Sequence, residues 1–215
     1  MNTRKIRWIA AVSVAALIAV SGCKNASEIK GRDELIVGEA VDFASYEPIG
    51  IMDGLGFSHY SEMVYETLVR FENGEVKPAL AERWEHDEHS WTFYLRRGVT
   101  FTDGERFTAD AVKVNIEKMQ EFVGDYLGYY GVVSRISAVE AADEYTVRFR
   151  YAEPYPAVLQ ELSASAFGML SPRLFENGNN PYGSYTADTA GTGPYEIKAA
   201  NCVAGQRYPF CGRFS

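Results

Sequence analysis

"WTFYLRRGVTFTDGERFTADAV", Trp91 to Val112, packs a strand, two turns and the start of a helix into one stretch. Trp91, Phe93 and Leu95 alternate with Thr92, Tyr94 and Arg96, the period of two expected of a half-buried strand. Gly98 breaks the run and Val99–Phe101 resumes it. Asp103-Gly104 then reads as a turn for backbone reasons alone. Thr108 stands where a helix cap belongs. Val112, Ile116, Met119 and Val123 follow at helical spacing, so one stripe of that helix faces a core. Strands and helices mixed along the chain without strict βαβ alternation predict a mixed domain, α/β or α+β.

Working outward, Ser58 opens a predicted helix in which Tyr60, Val64, Leu68 and Phe71 recur at helical spacing. "ENGE" (Glu72–Glu75) contains Asn-Gly, the strongest tight-turn pair. "PALAERW" (Pro78–Trp84) is a short amphipathic stretch begun by a proline, a good first helical residue. "YTVRFR" (Tyr145–Arg150) alternates as a strand, and Pro156 starts a helix carrying Leu159 and Leu162. Nearer the beginning, "LIVGEA" (Leu35–Ala40) reads as a buried strand and Glu47–Gly56 as a turn-rich loop.

The 215 residues are 47% hydrophobic, enough for one real core. A formal charge of −8 disfavours nucleic acid as a partner, since that needs clustered Lys and Arg. The first residues differ in kind. Arg4, Lys5 and Arg7 precede the uncharged apolar run Trp8–Val20, then Ser21, Gly22 and Cys23. The run is short for a membrane span and suits a signal peptide. Small residues before a cysteine resemble a bacterial lipobox, which makes residues 1–22 the expected signal peptide and Cys23 the expected lipid-attachment site. Residues 23–34 read as a flexible tether. The expected location is extracytoplasmic, with the chain held to the membrane by its lipid.

Asp103 and Glu105 suggest an acid/base pair of the glycosidase kind. They flank Gly104 in a turn, however, and Asp110 sits in a first helical turn where negative charge suits the dipole. All three have adequate structural work, so no catalytic residue is assigned. "HDEH" (His86–His89) offers imidazoles and carboxylates but lies between two elements and reads as a solvated connector, so no metal ligand is assigned either. His59 follows a Gly-rich loop and is a candidate pocket-rim residue. Cys202 and Cys211 are close enough in sequence to pair in an oxidising compartment.

"MVYETLVRF" (Met63–Phe71), "VKPALAERW" (Val76–Trp84), Trp91–Val112 and "GTGPYEI" (Gly191–Ile197) together resemble the peptide/nickel class of extracytoplasmic solute-binding proteins that feed ABC importers. The resemblance covers residues 35–198. It implies a periplasmic-binding-protein-like fold of the large peptide/nickel type, of which this chain holds part of the first lobe, and no enzymatic activity. It also implies a small solute, a nickel chelate or short peptide, and the importer's membrane subunits as partners, with no cofactor and a monomeric body. Residues 199–215 do not match the family pattern and read as a frameshift or early end. Tyr129 and Tyr130, in "YLGYYG" (Tyr126–Gly131), are expected at the pocket wall. In the nickel branch an arginine would fall where this chain has Gly168, so the clamp for an anionic chelate is missing. The alternatives are a cell-surface hydrolase using Asp103 and Glu105, and a non-transport interaction module.

Overall fold

The computed structural model describes residues 34–35, 61–123, 131–178, 181–182, 189–197 and 210–212. Strand β1 (Glu34–Leu35) is followed by a helical turn over residues 61–64 and by β2 (Val69–Glu72) and β3 (Glu75–Pro78). These two form a separate antiparallel hairpin with Phe71 opposite Val76. Its turn is Asn73-Gly74, with φ of 53° and 85°, the left-handed pair that a tight hairpin turn requires.

Strands β4 (Ala81–His86) and β5 (Ser90–Leu95) come next, then helix α1 (Ala109–Val123), the short helix α2 (Gly131–Ser134), β6 (Ile136–Asp143) and β7 (Thr146–Tyr151). The four strands make an antiparallel sheet in the order β4-β5-β7-β6. Helix α1 packs on β6 and β7. Its buried residues include Val112, Ile116, Met119 and Val123, the stripe expected from the spacing. Across the sheet Phe93 pairs with Val147, and Trp91 with Phe149. Phe93 and Phe149 are fully buried with ring centroids 5.3 Å apart, each ring's burial worth about 1.5–3 kcal/mol. Helix α3 (Val158–Leu162), two 3-10 segments (Ser165–Phe167 and Pro172–Gly178), β8 (Tyr195–Ile197) and β9 (Phe210–Gly212) complete the described chain. A three-stranded sheet joins the last two strands to the first, in the order β1-β9-β8.

Two expected helices are not helices. The Ser58 helix does not continue to Phe71: the helical turn ends at Val64 and β2 begins at Val69. Val64 and Leu68 are both fully buried, as the spacing demands, but the backbone between them serves other elements. The carbonyls of Glu66, Thr67 and Leu68 accept from the N–H groups of Met169, Leu80 and Ala81. Long-range backbone pairing outweighs local propensity there. Phe71, placed on the helix stripe, is instead 54% exposed. Likewise Pro78 closes β3 rather than opening a helix, and Ala81–Trp84 belong to β4. Pro78 sits at the outer end of the hairpin, opposite Val69, a place where a strand tolerates a missing N–H.

Candidate ligand-binding site

The residues expected to touch solute, His59, Tyr129 and Tyr130, lie outside the described residues, as do Cys23 and Cys202. Cys211 lies in β9, opposite Glu34 and Glu196. The described residues nevertheless show how the flanks of the expected pocket segments are fixed.

Gly131, the last residue of "YLGYYG", begins α2. The Val132 N–H donates to Glu161 Oε2 at 2.7 Å, and the Tyr155 hydroxyl donates to the other carboxylate oxygen. Tyr151 adds a third tie, its hydroxyl donating to Val132 O at 3.2 Å. A Cβ at residue 131 would overlap the Tyr155 hydroxyl and lie 3.2 Å from Tyr155 Cζ, so only glycine fits without a shift. Burial, and next the hydrogen bond to Glu161, pushes the Tyr155 phenol up to about 12. Burial also raises Tyr151 above the ordinary phenol range. Both hydroxyls therefore stay protonated as donors.

The run around Gly168 is held by α1. Asn115 is fully buried in the apolar stripe of α1, and its amide is satisfied throughout. Nδ2 donates to Ala111 O and Leu170 O at 2.9 and 2.8 Å, while Oδ1 accepts from Leu170 N and the Tyr182 hydroxyl at 2.9 Å each. Gly168 itself is buried, with ordinary extended dihedrals of −60° and 140°.

Between the start of β2 and the α3 to 3-10 run lies a groove of about 350 Å³, its walls including Glu62, Glu66, Arg70, Phe71, Ser163 and Ser165. It adjoins the run around Gly168: Ser61 Oγ donates to Ser165 O at 3.3 Å, and Met169 N to Glu66 O at 3.0 Å. Both oxygens of the Glu66 carboxylate accept from Arg96 Nη2 at 3.3 Å. Carboxylates, hydroxyls, a guanidinium and an aromatic face in one concavity suit the binding of a small polar solute.

Three of the four motifs that carried the family resemblance meet through their backbones. Gly193 N donates to Val64 O at 2.9 Å, and Thr102 N to Gly191 O at 2.9 Å. A Cβ on Gly191 would fall on the Val64 carbonyl oxygen and 2.7 Å from Tyr65 Cδ1. The motif is a backbone seam joining the 61–64 turn, the Asp103 loop and β8.

Asp103 and Glu105 take structural roles. Asp103 Oδ1 accepts from Glu105 N at 3.0 Å, and Gly104 has φ of 87°. Glu105 Oε2 lies 2.9 Å from Arg173 Nε, and Arg173 also donates to Asp103 O. His86 stacks on Trp91 with centroids 4.3 Å apart, while Asp87 Oδ1 accepts from His89 N. Among the described residues no three metal-ligating side chains converge. Sequence reasoning misses Asn115, Glu161 and Tyr155. A lone polar residue inside the α1 stripe is the available signal for Asn115; nothing local marks the other two.

A family model described as "Bacterial extracellular solute-binding proteins, family 5 Middle" matches residues 75–207. A glutathione-binding protein, GsiB, of Salmonella choleraesuis is 29% identical over 91% of this chain, which spans 36% of that relative's length. Among solved structures, NikA from Brucella suis in complex with Fe(III)-EDTA superposes with a TM-score of 0.70 at 31% identity, over 82% of this chain and 35% of NikA. NikZ from Campylobacter jejuni in complex with Ni(L-His) gives 0.67 at 29%, over 84% of this chain and 36% of NikZ. The fold is thus the mixed α/β fold of the peptide/nickel type of periplasmic binding protein. The relatives named here are binding proteins, and the chain belongs to the bacterial extracellular solute-binding proteins of family 5.

Proposed function

We propose that this chain takes part in solute capture for an ABC importer, as a lipoprotein held outside the cytoplasmic membrane through Cys23. The favoured solute is a short peptide or peptide-like thiol. The observation that carries this is the family match over residues 75–207, joined to a glutathione-binding relative that aligns with 91% of the chain. The walls of the groove agree with it: Glu62 offers a carboxylate for an amino group, and Arg70, ion-paired with Glu72 at 3.1 Å, would exchange that partner for a solute carboxylate. Tyr129, Tyr130 and His59 supply further contacts in this reading. Capture proceeds by closure of the intact protein around its solute, then docking on the membrane subunits.

Nickel carried by a chelator is the second reading, favoured by the likeness to NikA and NikZ. Gly168 cannot give an anionic chelate a charged donor. Titration calorimetry with glutathione, a dipeptide and Ni(L-His) separates the two. Heat from either of the first two alone supports the peptide reading, and heat from the nickel complex alone replaces it. Silence from all three overturns capture by this chain. For the anchor, a wild-type chain whose mass lacks acyl groups at Cys23 when recovered from membranes refutes lipid attachment.

A further inference from the structure

Asn73-Gly74 and Asn177-Gly178 are both exposed, and both asparagines are left-handed, with φ of 53° and 59°. Glycine after asparagine leaves the backbone nitrogen sterically open to the neighbouring side-chain amide. That nitrogen can attack Cγ of the asparagine. The bond from Cγ to the side-chain nitrogen breaks, and ammonia leaves with the proton given up by the glycine N–H. The cyclic imide then adds one water and opens to aspartate, or to isoaspartate when the chain is rerouted through the side-chain carbonyl. Water is the sole co-reactant, and nothing is oxidised or reduced.

Attack needs the glycine nitrogen and Cγ on the same side of the Cα–C bond. At Asn177 the dihedrals of 59° and 25° turn that nitrogen away, so reaction waits on rotation of the turn. What holds each turn shut then sets its rate. Asn73 closes a hairpin in which Glu72–Glu75, Phe71–Val76, Arg70–Lys77 and Val69–Pro78 all pair, ending on the buried Val69. Asn177 sits where a 3-10 segment is already broken, with Glu176 extended at ψ 158°. Phe175 is the last buried side chain before it, and residues 176–178 are all exposed.

We propose that Asn177-Gly178 is a spontaneous deamidation site of the folded chain, reacting ahead of Asn73-Gly74 because no strand pairing among the described residues spans its turn. Each conversion adds one negative charge, here beside Glu176. The test incubates the full chain at mildly alkaline pH, with a parallel sample in urea, and follows both peptides by mass spectrometry and isoaspartate detection. Asn177 is expected to convert about tenfold faster than Asn73 in the folded sample, with the gap closing in urea. Asn177→Gln is expected to abolish the product at that peptide and leave the Asn73 rate unchanged. Equal rates in the folded chain, or no folded-state product at Asn177 while urea converts both, would overturn the proposal.

Discussion

Two seams hold the described body together, and they are made of different material. Between α1 and the four-stranded sheet the contact is side chain on side chain: Ile116, Met119, Val147 and Phe149, all fully buried. Between Gly191–Gly193 and residues 63–65 it is backbone on backbone, with a hydrogen bond of 2.9 Å from Gly193 N to Val64 O and no room for a Cβ. A side-chain seam can relax around a lost methyl group. A backbone seam has no rotamer to adjust, so it should fail abruptly.

The sharpest way to break this contrast is Gly191→Ala. Its new Cβ meets main chain, so the expected loss is about 5 kcal/mol, enough to abolish a cooperative thermal melt. Phe149→Ala in the other seam is expected to cost about 4 kcal/mol yet keep a cooperative transition at lower temperature. If the glycine variant melts higher than the phenylalanine variant, the contrast is wrong. Asn115→Ala tests a third kind of joint. It strands the Leu170 N–H and the Leu170 carbonyl, an expected loss of about 3 kcal/mol by urea denaturation.

A smaller effect concerns the polar turns. The Tyr145 N–H and the Thr146 hydroxyl hold Asp143 below the usual carboxylate range, and Ser90 and His89 do the same for Asp87. A carboxylate depressed in the folded state adds stability above its unfolded value and loses it as pH falls through the folded one. Melting temperature should therefore drop on acidification below about pH 4, and Asp143→Asn should make that limb shallower. An unchanged slope would show that the turn carboxylates do not govern it. Least of all, Glu105→Gln removes one exposed ion pair with Arg173, an expected loss of under about 1 kcal/mol. Under the hydrolase alternative, the same change would abolish turnover of a glycoside substrate.

The side-chain seam is legible in the residues themselves. The α1 stripe, the β5 alternation and the Asn-Gly hairpin turn each follow from local chemistry, because periodic burial and positive φ leave marks on adjacent residues. The region from Val64 to Trp84 misleads for the complementary reason. Val64 and Leu68 keep helical spacing, but the carbonyls of Glu66, Thr67 and Leu68 belong to residues far along the chain. The two glycines of the backbone seam stand out as part of a motif, though nothing in the motif says what they touch. Of the site, Asn115 leaves a trace as a polar residue on an apolar face. Glu161 leaves none, since the N–H it accepts from is set by tertiary placement.

The pairing of β1 with β9 and β9 with β8 brings Glu34 beside Cys211. All four strands of the larger sheet lie between Ala81 and Tyr151, whereas this small sheet must wait for almost the last described residues. On a chain emerging from one end, Glu34 and Leu35 stay without their partner strand until Phe210–Gly212 have been made. Slow closure of this sheet, more than formation of the larger one, should set when the newly made body becomes resistant to proteases.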